Sequence, residues 1–336
     1  MAIEFQVLGQ PRRDNALWVR VDSGQAITRL LFDCGDGCLS ELPHGEVLAT
    51  DYLFFSHLHM DHVAGFDQFF RYNFNRDSKA NVIWGPPETG TAMHHRFRGF
   101  WWNLHAGQPG TWRVHDVLAE SLETFRYEIG DAFAVQHVEG THKHTGLILD
   151  ASDFTVQAIH LDHHGPCLGY QVREKARTNV QAERLQALGL RPGPWMKALK
   201  DDGAASDDAV TIDGQVHKIG NLRDALLVET PGNSIAYLTD FQLDDATMDR
   251  LASWLEGCQT VICEAQYRHA DLELAKRNAH LTTTLVGQLA AQARVEHLVL
   301  FHLSERYGMD ELLDMLEECQ AWFPNTTFPQ HWELDS

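Results

Sequence analysis

Residues 52–62 read Tyr-Leu-Phe-Phe-Ser-His-Leu-His-Met-Asp-His. A short apolar run here comes directly before a dense group of polar side chains. Tyr52–Phe55 has the composition of a buried strand, and a helical pattern follows from Val63. The loop between them carries four potential metal ligands: His57, His59, Asp61 and His62. Imidazole and carboxylate are groups that zinc, manganese and iron all accept. Because such a loop lets the first two side chains point one way and the last two another, the spacing predicts two adjacent metal ions.

Three later strand patterns also end in ligand-type side chains. His163 lies between two strand patterns, Asp240 follows Ile235–Thr239, and His302 follows His297–Phe301. His164 is adjacent to His163 and competes for the same role. Each of these residues alone is as compatible with an ordinary loop cap as with a ligand. Together, in this order and context, they predict a dinuclear metal site.

The composition limits the classes of function. Of 336 residues, 44% are hydrophobic and 22% charged, which excludes disordered, collagen-like and coiled-coil proteins. Lys and Arg number 27 against 47 Asp and Glu, so the net charge of −20 disfavours bulk binding of nucleic acid. The 20 histidines exceed average usage, and the 6 cysteines lack CxxC spacing. Without a long apolar stretch or a signal-peptide pattern, we expect a cytoplasmic chain with no membrane partner.

Strand and helix patterns predict an α/β fold, an αββα sandwich of two mixed β-sheets flanked by helices. The strand patterns are Ile3–Leu8, Leu17–Val21, Arg29–Phe32, Tyr52–Phe55, Val82–Trp84, Phe154–His160, Gly169–Val172, Ala225–Glu229, Ile235–Thr239, Thr260–Cys263 and His297–Phe301. The helix patterns are Val63–Tyr72, Ala182–Leu188, Met248–Glu256, Leu272–Asn278, Thr283–Ala293 and Asp310–Trp322. No low-complexity linker separates the halves, so residues 1–336 are predicted to form a single domain.

Two segments depart from this pattern. Residues 86–128 are predicted to be a helical and aromatic insertion, able to clasp a small anion or to stack on an aromatic group. The residues behind this are His94, His95, Arg96, Phe97, Arg98, Phe100, Trp101, Trp102 and Trp112. An ordinary core helix is an equally good interpretation. Residues 173–223 are predicted to be an arm-like excursion, whose cations are diluted by acidic residues that include Asp201 and Asp202.

The His-x-His-x-Asp-His loop resembles the hallmark of the metallo-β-lactamase superfamily. The resemblance implies that Asp33 supports the metal loop by hydrogen bonds. It assigns one metal ion to His57, His59 and His163 and the other to Asp61, His62 and His302, with Asp240 between them. Two divalent ions would lower the pKa of a shared water, so the expected nucleophile is a metal-bridging hydroxide that Asp61 orients or deprotonates. Zinc is the expected metal, with manganese or iron as alternatives.

Within the superfamily the chain resembles the ribonuclease Z branch, which cleaves 3′ trailers from precursor tRNA. Local matches are Gly169-Tyr170 after His163, the Pro192-Gly193-Pro194 turn, Cys263-Glu264-Ala265, Ala279–Thr283 and Phe301–Tyr307. The resemblance implies that His280 stabilises or protonates the departing oxygen and that Glu264 holds His280. It implies a homodimer as well.

Two interpretations of the function remain open at this point. The first is a ribonuclease Z-like phosphodiesterase acting on the 3′ end of precursor tRNA. The alternative is a metallo-hydrolase of a small phosphodiester, ester, lactone or sulfate substrate, which the acidic net charge favours. Local departures from the branch support that alternative: Met60, the run from Gly65 to Tyr72, and Leu238-Thr239 before Asp240. A silent binding protein is disfavoured by the complete set of ligands.

Overall fold

The computed structural model describes residues 2–201 and 203–334, so that Asp202 of the arm-like excursion lies outside the described residues. Within these ranges the first eight strands lie side by side in chain order. They are β1 (Ala2–Leu8), β2 (Ala16–Asp22), β3 (Ile27–Phe32), β4 (Tyr52–Phe54), β5 (Asn81–Gly85), β6 (Thr111–Val117), β7 (Ser121–Glu128) and β8 (His137–Lys143). Strands β3 to β6 run parallel, and the pairs at both ends of the sheet are antiparallel.

A second sheet is formed by strands of the later half of the chain. Its members are β9 (Leu147–Asp150), β10 (Phe154–Asp162), β11 (Pro166–Glu174), β16 (Ser234–Leu238), β17 (Thr260–Glu264), β18 (His297–Phe301) and β19 (Thr326–Thr327). Their order is β19-β18-β17-β16-β11-β10-β9, with β16 to β19 parallel. Buried side chains of both sheets form one core, in which the ring of Phe32 lies 5.5 Å from Tyr170 and 5.8 Å from Tyr237.

Helices cover the outer faces of the two sheets. They are α1 (His44–Ala49), α2 (Met60–Val63), α3 (Phe66–Asn73), α4 (Thr89–Phe97), α8 (Asp245–Trp254), α9 (Leu272–Asn278), α10 (Thr283–Ala293) and α11 (Glu311–Gln320). A second apolar cluster joins α3 and α4 to the first sheet, and α8, α10 and α11 pack with the second sheet. This layering confirms the predicted αββα sandwich. None of the described helices has the length and apolar composition needed to cross a bilayer.

Residues 174–232 form a separate compact unit, and the remaining described residues form the other. The smaller unit contains α5 (Ala182–Ala187), α6 (Met196–Leu199), α7 (Ile219–Leu226) and two strand pairs, β12 (Arg177–Val180) with β15 (Leu227–Thr230) and β13 (Ala209–Ile212) with β14 (Gln215–Lys218). It has an apolar cluster of its own that includes Leu185, Ile219 and Leu226. The single domain over residues 1–336 therefore stays a prediction.

Two predicted segments differ from the structure. Residues 111–128, the second half of the predicted helical insertion, form β6 and β7 of the first sheet, and only α4 is helical there. The strand predicted at Ala225–Glu229 begins two residues later, because α7 extends to Leu226. In β6 the apolar side chains of Trp112 and Val114 do alternate with polar ones, so this strand had a local signal that the interpretation as a helical insertion overlooked.

Candidate metal centre

The metal loop, defined as residues 55–62, leaves the first sheet at the end of β4 and enters α2. Backbone hydrogen bonds hold both of its ends: Asp33 N donates to Phe54 O at 2.7 Å, and Cys34 N donates to His62 O at 2.8 Å. Leu168 N of the second sheet donates to Ser56 O at 2.8 Å. The loop is thus fixed by the backbones of both sheets.

Asp33 lies beneath the metal loop and is fully buried. Its Oδ1 accepts a hydrogen bond from Ser56 N at 2.7 Å, and its Oδ2 accepts from Ser56 Oγ at 2.6 Å and from Tyr237 Oη at 2.9 Å. His62 Nδ1 also donates to Oδ2, at 2.8 Å. A carboxylate that receives this many donors fixes the orientation of the His62 ring.

The predicted ligands converge in two groups that share Asp240. His57, His59, His163 and Asp240 have ligand atoms within 4.8 Å of one another. The same limit holds for Asp61, His62, Asp240 and His302. The structure therefore brings together all seven side chains from the metal loop and from three strand ends of the second sheet, in the two sets that the sequence analysis assigned.

Distances between ligand atoms fit two metal ions. Oδ2 of Asp240 lies 3.5 Å from His57 Nε2, 3.3 Å from His62 Nε2 and 3.6 Å from His163 Nε2. Oδ2 of Asp61 lies 3.4 Å from His62 Nε2. Two ligands bound tetrahedrally to one zinc ion, with bonds of about 2.0–2.1 Å, are separated by about 3.3–3.4 Å. The observed separations are longer than good hydrogen bonds and close to this value.

Two imidazole nitrogens of this cluster are buried and have no hydrogen-bond partner among the described residues. They are Nε2 of His57 and Nε2 of His62, and both face the cluster. The other ring nitrogen of His57 is occupied by Ser56 Oγ at 3.1 Å. Burial lowers the pKa of His57 to about 2, so its imidazole is neutral and presents a lone pair. A buried acceptor such as Nε2 of His57 is expensive when no donor reaches it, and metal coordination would satisfy it.

His163 is positioned by the loop between α9 and α10. Its Nδ1 donates to the carbonyl of Ala279 at 2.9 Å, which leaves Nε2 directed at Asp240. His164 is exposed, and its Nε2 lies 3.1 Å from the carbonyl of Arg277 instead. Of the two neighbouring histidines, His163 and not His164 therefore lies among the clustered ligand atoms.

His280 and Glu264 form a hydrogen-bonded pair beside the cluster. His280 Nδ1 donates to Glu264 Oε2 at 2.9 Å, while Phe241 N donates to Glu264 Oε1 at 3.1 Å. Burial opposes a charge on His280, but the Glu264 carboxylate outweighs it and raises the pKa of His280 to about 9. Because the His280 ring lies 4.7 Å from that of His163, this group can deliver a proton next to the metal site.

The strand ends that carry these groups have unusual backbone angles. Asp33, Asp240 and His302 have φ values of 59°, 52° and 51°, in the left-handed region that disfavours side chains with a Cβ. Asp240 and His302 belong to the cluster, and Asp33 lies beneath the metal loop. Sequence reasoning identified these three residues but missed Tyr237, which supports Asp33, and Gln266, which supports His302. It also missed the Ala279 carbonyl that supports His163.

The aromatic and basic residues of the predicted insertion lie outside the two ligand groups. Phe97 and Trp112 are buried in the cluster beneath the first sheet, as the core interpretation expected. Phe100 and Trp101 are exposed in the loop after α4. His94 Nε2 lies 2.9 Å from the carbonyl of Phe133. The segment therefore divides into a structural part and an exposed aromatic part.

Comparisons with known proteins place the chain among nucleases of this fold. It is 50% identical over 327 residues to a ribonuclease Z of Deinococcus radiodurans, covering 97% of each protein. It is 29% identical over 303 residues to a ribonuclease Z of Prochlorococcus marinus, covering 88% of this chain and 84% of the relative. No protein-family model matches the chain.

Solved structures show the same fold at low sequence identity. The metallo-β-lactamase fold protein YhfI of Bacillus subtilis aligns with a TM-score of 0.57 and 14% identity, covering 98% of this chain and 96% of that one. The short form of human tRNase Z aligns with a TM-score of 0.53 and 17% identity, covering 98% and 96%.

Proposed function

The chain belongs to the ribonuclease Z family and is a metal-dependent hydrolase with the metallo-β-lactamase fold, and from this premise we propose that it cleaves 3′ trailers from precursor tRNA. The observation that supports this most directly is the position of the His280–Glu264 pair beside the seven clustered ligand residues. Phosphodiester cleavage needs an activated nucleophile on one side of phosphorus and a proton donor for the departing oxygen on the other.

We propose that His57, His59 and His163 hold one divalent ion and that Asp61, His62 and His302 hold the other, with Asp240 shared. When bound, such a pair supplies Lewis acidity that neutralises phosphoryl oxygens and lowers the pKa of water. Zinc suits this mixture of imidazole and carboxylate ligands. Although burial opposes its charge, the imidazoles of His302 and His62 keep the pKa of Asp240 well below the usual range.

The roles of three groups follow from their positions. Asp61 is partly exposed, and its Oδ2 lies 3.5 Å from His302 Nε2, so it can orient the attacking water or accept its proton. His280 donates a proton to the departing oxygen of the RNA. Glu264 keeps the His280 ring in the tautomer with a proton on Nδ1 and stabilises its charge. We propose that Asp61 and His280 act on the substrate directly and that Glu264 acts through His280.

The test is cleavage of a precursor tRNA with a 3′ trailer by the purified protein. We expect close to two divalent ions per chain, a cut after the discriminator base, and hydrolysis of bis(p-nitrophenyl) phosphate. Asp240→Ala should lose metal and both activities, whereas Asp245→Ala, an exposed carboxylate on α8, should retain them. Retained cleavage without metal, or an intact precursor alongside rapid turnover of the small diester, would contradict the proposal.

A cytoplasmic location and a homodimeric state belong to the same proposal. Both rest on the likeness to ribonuclease Z, since tRNA processing takes place where tRNA is made in bacteria. Sedimentation of the purified chain at several concentrations measures the oligomeric state directly, and a monomer at micromolar concentration would remove the dimer from the proposal.

A further inference from the structure

The turn between α9 and α10, residues 278–282, supports two groups of the candidate site at once. The carbonyl of Ala279 accepts the hydrogen bond from His163 Nδ1 at 2.9 Å, so it orients one of the clustered ligand residues. His280 is the next residue along the chain, and its ring lies 4.7 Å from that of His163. A small displacement of the 278–282 turn would therefore change the position of both imidazoles together.

The backbone of this turn is strained. Ala279 has a φ of 55°, in the left-handed region that disfavours a residue with a Cβ, and it is fully buried. Two backbone hydrogen bonds close the end of α9, from Ala279 N to the carbonyl of Lys276 at 3.2 Å and from His280 N to that of Ala275 at 3.0 Å. Glycine is the usual residue at such a helix end. An alanine keeps this conformation only where surrounding contacts enforce it.

Tyr267 supplies such contacts through its backbone. It lies three residues after Glu264, just beyond the end of β17. Tyr267 N donates to the carbonyl of Leu281 at 3.1 Å, and Thr283 N donates to the carbonyl of Tyr267 at 2.9 Å. Tyr267 and Thr282 form an isolated parallel bridge. The backbone of Tyr267 thus fixes the end of the 278–282 turn that leads into α10.

The side chain of Tyr267 holds the other end of the turn. Asn278 Nδ2 donates a hydrogen bond to Tyr267 Oη at 2.7 Å. The Tyr267 ring also packs beside that of His280, with centroids 6.0 Å apart. Ala279 and His280 therefore lie between two points that a single buried residue fixes, one by its backbone and one by its hydroxyl.

We propose that Tyr267 is a positioning residue of the reaction, whose hydroxyl fixes the 278–282 turn through Asn278. The turn then presents the Ala279 carbonyl to His163 and holds the His280 ring beside the cluster. The effect on His280 rests on the proposed function, whereas the effect on His163 concerns metal binding alone. Glu264 and Tyr267 divide the work, because Glu264 bonds to the His280 ring and Tyr267 holds the backbone that carries it.

Zinc affinity tests the proposal without relying on catalysis. Tyr267→Phe removes the hydroxyl and keeps the ring, so we expect the affinity for zinc, measured by competition with a chelator, to fall by about 3- to 10-fold, as for one lost hydrogen bond. Tyr307→Phe is the matched control, because the buried Tyr307 hydroxyl accepts from Arg268 N at 3.1 Å, in the segment that follows Tyr267. Its affinity should stay at the wild-type value. An unchanged affinity in Tyr267→Phe, or an equal loss in both variants, would overturn the proposal.

A double-mutant cycle tests the route through Asn278. Asn278→Ala should lower the affinity for zinc by a similar factor, and adding it to Tyr267→Phe should produce little further loss, because both changes remove the same hydrogen bond. Fully additive losses would show that the hydroxyl acts by another route, and the proposal would fail.

Two substrates then connect the turn to His280, with zinc at saturating concentration. Tyr267→Phe should lower kcat on precursor tRNA by roughly 10-fold at unchanged KM, because the departing ribose oxygen needs a well-placed proton donor. Hydrolysis of bis(p-nitrophenyl) phosphate should keep its rate, because p-nitrophenolate departs without a proton. Equal losses on both substrates would overturn the link to His280. If the wild type cleaves no precursor but zinc affinity still depends on the Tyr267 hydroxyl, the proposed function fails and the positioning of His163 stands.

Discussion

Asp33 shows how one residue outside the ligand cluster can orient two of its members. Its carboxylate fixes His62 directly and fixes His57 through the hydroxyl of Ser56. Both contacts occupy Nδ1, so each imidazole presents Nε2 to the cluster. Tyr237 anchors the same carboxylate from the second sheet. The orientation of ligands on one sheet is therefore set partly by a side chain on the other.

Replacing this carboxylate by an amide tests the argument. Asp33→Asn keeps the size of the side chain but places an NH₂ group against the donors of Ser56 and His62, so the ring orientation is lost. We expect the affinity for zinc, measured by competition with a chelator, to fall by about 10–100-fold. Tyr237→Phe removes a single donor and should produce a smaller loss. Wild-type affinity in the Asn variant would contradict the role of Asp33.

The His280–Glu264 pair gives a second prediction at this scale. His280→Ala should lower kcat on precursor tRNA by roughly 10²–10⁴-fold, because the departing oxygen loses its proton donor. Glu264→Gln should give a smaller loss, since the imidazole remains but loses its charged partner. Metal content should stay at the wild-type value in both. A variant that loses one metal ion would show that His280 is a ligand, because it lies in reach of Asp240 and His302.

Among the secondary-structure elements, α2 and α3 are held unusually close to the loop after β3. Gly65, between the two helices, donates its N–H to the carbonyl of Cys34 at 2.8 Å. A Cβ at position 65 would lie 2.3 Å from the carbonyl oxygen of Gly35, far inside van der Waals contact. The turn between α2 and α3 can approach the loop after β3, which begins with Asp33, only because residue 65 is glycine.

Gly65→Ala should therefore force these two segments apart. We expect the free energy of unfolding to fall by about 1–3 kcal/mol, as for other overpacked sites, together with weaker metal binding. Gly45→Ala in α1 is the control, because a Cβ at position 45 would have no neighbouring atom within 4 Å and alanine favours a helix. Chemical denaturation measures both variants. Equal stability of the two proteins would show that the helices accommodate the methyl group.

Elements whose pattern is local could be predicted from sequence, and those defined by distant partners could not. The metal loop follows a buried three-residue strand in consecutive sequence, so its ligands were evident. Strand β8 is exposed along most of its length and shows no apolar alternation. The hydrogen bond from Tyr237 to Asp33 joins residues 204 positions apart, and the sequence around either residue does not predict it.

For the molecule as a whole, net charge was a poor guide to the family. The value of −20 favoured a small-molecule substrate, yet the chain belongs to the ribonuclease Z family. The Debye length is about 8–10 Å at physiological salt, so a phosphate near the surface responds to adjacent side chains more than to the total charge. Arg71 and Arg98 are exposed and form no ion pair with the described residues, which illustrates how local charge can differ in sign from the average.

The division into two units also predicts that the smaller one can be removed. Arg173 and Ser234 are directly paired across β11 and β16, so the chain leaves and re-enters the larger unit at neighbouring positions. Replacing residues 175–231 by an Asn-Gly turn should leave a folded protein that binds metal and hydrolyses bis(p-nitrophenyl) phosphate. Circular dichroism and metal analysis check this. An insoluble or metal-free product would show that the larger unit requires the smaller.

At Asp33, Asp240 and His302, the left-handed backbone and the chemistry of the site favour different residues. The backbone angle alone would favour glycine at these positions, because only glycine adopts such angles without steric penalty. Chemistry demands a carboxylate or an imidazole there. A lineage that no longer bound metal should therefore drift towards glycine at Asp240 and His302, whereas Asp33 should persist because four buried donors bond to its carboxylate.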